Sequence, residues 1–76
     1  MMAQGLQMSD KIGNLVYIPS KTDLLQYTTT KKSSPAKIVS MPIPTNLLVL
    51  EENENKFGVL FEGEVWYVDK KKVYNV

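Results

Sequence analysis

The chain has 76 residues, nine basic and eight acidic side chains, a net charge of +1 at neutral pH, and neither cysteine nor histidine. That length supports one domain that buries only about 60–65% of the surface its unfolded form exposes, so the core must be small. Without cysteine or histidine there is no Ser-His or Cys-His nucleophile and no thiolate or imidazole metal ligand, so no catalytic residue, metal or cofactor is expected and the chain is read as non-enzymatic.

Taken in order, residues 1–9 place three methionines and Leu6 among small polar residues. They are too few to hold a helix alone and read as a flexible arm able to dock on an apolar surface. The N-terminus lacks the basic-then-apolar plan of a signal peptide, and no apolar run approaches the roughly 18 residues that span a bilayer. A soluble, cytoplasmic protein is expected.

Asp10 to Asn14, with Gly13, forms a turn into a strand near residues 14–18, which Pro19-Ser20 stops. Either Val16 and Ile18 or Leu15 and Tyr17 point inward. Lys21 to Tyr27 carries Leu24, Leu25 and Tyr27, enough for a short strand or one helical turn. Residues 28–37 are small, polar and basic, a composition that buries too little to offset its ordering entropy, so a mobile loop is expected there. A strand near 36–41 follows, then Pro42 and Pro44 remove two backbone donors and end it. Asn46 to Glu52 is the next strand, with Leu48 and either Val49 or Leu50 expected in the core.

The stretch from Phe57 to Val76 is the most legible. Phe57, Val59 and Phe61 alternate along one strand, Glu62-Gly63 supplies a tight reversal, and Trp66 and Val68 resume the alternation on the return. Strands are expected near 56–62 and 64–69, with Val59, Phe61 and Val68 in the core. Asp69 to Lys72 then turns the chain towards a terminal segment near 73–76. The other face of this hairpin carries Leu60, Val65 and Tyr67, where a half-solvated strand would be polar. Either the N-terminal arm covers that face or a partner does, and these three residues are the candidate partner-binding set.

From Leu47 onward the order of strand, acidic loop, strand, glycine turn, strand, short connector and last strand resembles an SH3-like barrel, most closely the bacterial SH3 domains. The residues that carry the likeness are Leu48 to Glu52, Phe57, Val59, Phe61, Gly63, Tyr67-Val68 and Val73. The resemblance implies a small all-β barrel of five to six short antiparallel strands over residues 10–76. It speaks to fold and not to ligand: Trp66, Asp69 and Lys72 stand where proline-binding SH3 domains carry glycine, proline and tyrosine. The lysine-rich, arginine-free style is also similar to small proteins of tailed bacteriophages.

Two functions from different classes follow. The first is a protein-interaction module, a phage accessory or structural component in the host cytoplasm or virion, binding another protein or a second copy of itself. The alternative is a nucleic-acid-binding barrel in which Lys31, Lys32, Lys37 and Lys70, Lys71 and Lys72 converge with Tyr67 or Trp66 as a stacking platform. All nine cations are lysine, and the lack of arginine weighs against specific phosphate and guanine contacts.

Overall fold

The computed structural model describes residues 11–27 and 35–76. Seven strands occur in them: β1 (Leu15–Ile18), β2 (Asp23–Tyr27), β3 (Pro35–Ser40), β4 (Thr45–Glu52), β5 (Lys56–Phe61), β6 (Glu64–Asp69) and β7 (Tyr74–Asn75), with a single 3₁₀ turn at Lys70–Lys72. They form one antiparallel sheet in the order β3-β2-β6-β5-β4-β1-β7. The all-β class read from the sequence therefore holds. Two features differ from the expectation: the strands number seven, because Lys21 to Tyr27 yields a strand and not a helical turn, and the sheet is not closed. No helix among the described residues is long and apolar enough to cross a membrane.

The β5–β6 hairpin pairs without interruption from Lys56 opposite Asp69 to Phe61 opposite Glu64. Its turn residues Glu62 and Gly63 both take positive φ, 53° and 80°. This is the primed turn whose twist matches the flanking strands, and Gly63 adopts it without the steric cost a Cβ brings. The tip is exposed, so its acids are solvated.

β4 serves two ladders. Thr45 to Leu48 pair with β1, and Val49 to Glu52 pair with β5. The register shifts between Val49 and Glu51, leaving Leu50 as an extra residue that bends the strand and increases its twist. At the bend the Val49 N–H donates to the Asn14 carbonyl at 2.9 Å, and the Gly13 N–H donates to the Val49 carbonyl at 2.8 Å.

Curled in this way, the sheet encloses its own core of Val16, Ile18, Leu24, Met41, Leu47, Val49, Phe57, Val59, Trp66 and Val68. In β1 the open phasing resolves to Val16 and Ile18 inward. One expected core residue of β4 is corrected: Leu48 is half-buried. Of the two alternatives beside it, Val49 is fully buried and Leu50 is 38% exposed at the bulge. Phe61 is half-buried at the end of its ladder, packed against the core and edge-on to Trp66. Leu47 joins Val49 in the interior positions of β4, because pairing with β1 fixes the parity of that strand. Met41, between β3 and β4, is also buried; its N–H donates to the Thr22 carbonyl, and its carbonyl accepts from the Lys21 N–H.

Two connections are tight. β4 ends at Glu52 as expected, and in the acidic loop that follows the Asn53 side chain accepts from the N–H groups of Asn55 and Lys56 at 2.9 and 2.8 Å. The expected loop at 28–37 ends early, since Pro35 to Lys37 belong to β3. Residues 28–34 and the arm at 1–9 lie outside the described residues.

The phasing of β4 is open to a direct check. Val49→Ala removes buried methyl groups from the centre of the core and is expected to cost about 1.5–3 kcal/mol. Leu50→Ala is expected to cost under about 1 kcal/mol. Thermal melts that rank the two variants the other way would show that β4 presents its other face to the core.

Candidate functional site

The outer face of the hairpin belongs to a larger surface. The register places Ile38 opposite Leu25, Leu25 opposite Tyr67, Tyr67 opposite Gly58, and Gly58 opposite Glu51, so one row of side chains crosses β3, β2, β6, β5 and β4. Beside it Leu60 stands opposite Val65. All three candidates therefore share one face, with Tyr67 diagonal to Leu60 and not directly across from it. Ile38 is 61% exposed and Leu60 39%, while Leu25, Val65 and Tyr67 are half-buried.

Tyr67 holds the middle of this surface for a simple steric reason. Gly58 has no side chain, and a Cβ built there would stand 3.1 Å from Tyr67 Cε1 and 3.2 Å from Glu51 Cγ. The ring thus lies across the glycine, covering backbone that a bare strand would leave open. Its hydroxyl donates to Glu51 Oε1 at 3.0 Å, and its other flank meets the Tyr27 ring at a centroid distance of 5.6 Å and a tilt of 55°. The Gln26 side chain spans the strand boundary, donating to the Val65 carbonyl at 3.3 Å and to Glu64 Oε1 at 3.2 Å.

These surroundings raise the Tyr67 pKa above 10.0, first through burial of the phenol, then through the hydrogen bond to Glu51 and the charge of that carboxylate. All three disfavour the phenolate.

The lysines are placed differently. Lys70 pairs with Glu52 Oε2 at 2.7 Å and sits 5.2 Å from the centroid of the Phe57 ring, an arrangement that commits it to the fold. Lys71 and Lys72 are exposed on the 3₁₀ turn, whose start Asp69 caps by accepting from the Lys71 N–H at 2.9 Å. Trp66 is buried in the core, away from any stacking platform. Lys31 and Lys32 lie outside the described residues. A shallow cleft of about 400 Å³ lies elsewhere, lined by Lys11, Gly13, Asn14, Leu15, Asn75 and Val76, where Lys11 Nζ donates to Asn75 Oδ1.

Leu25, Tyr27, Ile38, Glu51 and Gly58 join the face without having been singled out from the sequence. The local signal was the Leu24-Leu25 pair followed by Tyr27, in which one leucine had to face outward once the other was buried.

The raised pKa has a sign that can be checked. Between 10.0 and the native value the unfolded chain releases the Tyr67 proton and the folded chain keeps it, so stability present below pH 10 is lost as pH rises beyond it. Tyr67→Phe is expected to lose that part of the alkaline decline in melting temperature. An identical decline in parent and variant would show that Tyr67 titrates as a free phenol.

No protein-family model, curated protein or solved structure matches this chain, and its function is to be read from its own surface.

Proposed function

We propose that this protein is a non-catalytic interaction module on an SH3-like framework, docking through the outer face centred on Leu60, Val65 and Tyr67. The observation that carries the reading is the continuous row from Ile38 through Leu25 to Tyr67, with Leu60 and Val65 beside it, on a sheet whose opposite face already fills the core. Apolar side chains in contiguous outward positions are unusual on a chain this small unless something is laid over them. Tyrosine suits such a role because it brings area and a hydroxyl with few rotatable bonds.

The partner is another protein or a second copy of the chain. The arginine-free, cysteine-free composition supports a setting among the small accessory or structural proteins of tailed bacteriophages, in the host cytoplasm or the virion. The engagement of Lys70 by Glu52 and Phe57 leaves fewer lysines for a nucleic-acid surface.

Deleting residues 1–9 separates a partner from an internal cover. The interaction reading expects an unchanged melting temperature, with self-association or partner capture intact. A marked loss of stability, or new aggregation, would assign the cover to the arm. Tyr67→Ala is expected to abolish the association; if it keeps every interaction of the parent, docking does not occur at this face. A monomer that binds oligonucleotides in a salt-sensitive manner would instead favour the lysines.

A further inference from the structure

Resting on the docking face just proposed, the partner's chemistry can be narrowed by the charges that surround it. Glu51 closes the row next to Gly58 and Tyr67. Asp23 is two residues from Leu25 on the same side of β2 and is exposed, and Asp69 is two residues from Tyr67 on the same side of β6. Against these three acids, Lys56 opposite Asp69 is the one lysine that strand parity places on this face among the described residues. Lys37 neighbours outward Ile38 and so lies on the other side of β3. Glu62 at the hairpin tip adds another acid at its end, whereas Glu64, two residues from buried Trp66, lies on the other side of β6.

An apolar surface with an acidic border disfavours a second copy placed face to face, since the borders would meet as like charges. It favours a cation. The tilted Tyr27 and Tyr67 rings offer π surface, and Glu51 beside them is a carboxylate able to accept more than the one hydrogen bond it takes from Tyr67.

We propose that the partner is an extended protein segment that sets a lysine or arginine over the Tyr27–Tyr67 pair, ion-paired with Glu51, between apolar side chains that rest on Leu25 and Ile38 to one side and Leu60 and Val65 to the other. The rings supply cation–π attraction, and the carboxylate supplies a charge-assisted hydrogen bond.

Selection of a displayed library of short random peptides on the whole chain tests this. Captured peptides that depend on Tyr67 are expected to carry lysine or arginine flanked by apolar residues. Their affinity should fall about tenfold on Glu51→Gln and by a similar factor when the lysine is acetylated or the arginine is replaced by citrulline. The melting temperature of Glu51→Gln should stay close to that of the parent, since glutamine still accepts from the Tyr67 hydroxyl. Peptides that are lost on Tyr67→Ala but show no cation preference and ignore Glu51→Gln would overturn the cationic partner and leave the docking face standing. Capture of no peptide, or only of peptides indifferent to Tyr67→Ala, would overturn both.

Discussion

The bend of β4 is the constraint on which the rest of the molecule depends. One strand must pair with β1 along its first half and β5 along its second, and a flat strand cannot turn enough to do both. The extra residue at Leu50 supplies the turn, and the bonds between Val49 and the Gly13–Asn14 segment anchor it. Because Val49 is at once fully buried and bonded through its backbone, the bend is fixed from inside as well as from the edge. A single sheet can then wrap ten buried side chains, with no second layer among the described residues.

The same bend shapes the outer surface. After the bulge, Glu51 and not Leu50 comes to stand opposite Gly58, which brings a carboxylate within reach of the Tyr67 hydroxyl. Had the register run on unbroken, an aliphatic side chain would have occupied that place. Burial inside and charge outside are therefore set by one irregularity in one strand, and Gly58 completes the arrangement by leaving room for the ring.

How far this could be read in advance depended on contrast. The hairpin was legible because Phe57, Val59, Trp66 and Val68 alternate with residues of different character around an unmistakable Glu62-Gly63 turn. In β4, Leu47, Leu48, Val49 and Leu50 are all apolar, so a period of two leaves no mark: the choice between Val49 and Leu50 stayed open, and Leu48 was given the place that Leu47 takes. The bulge has no local signature either. The nucleus of the face, Leu60, Val65 and Tyr67, emerged from the excess of apolar residues on the hairpin. Its extension to Leu25, Tyr27 and Ile38 did not, since the placement of β2 beside β6 joins segments some forty residues apart. Nor does anything near Lys70 in sequence announce its pairing with Glu52 across the chain.

An unclosed sheet has a cost that a closed barrel avoids, because each terminal strand presents a row of backbone donors and acceptors on which other chains can polymerise. Here both ends are blunted. β3 opens on Pro35, which has no N–H to offer, is distorted where Tyr27 pairs with Pro35 and Gln26 with Lys37, and carries an exposed lysine next to its exposed isoleucine. β7 is two residues long, too short to template a neighbour. Runaway strand addition is thereby resisted at the sheet margins, so that contact with another chain through the apolar outer face is not bound to continue into a strand-by-strand polymer.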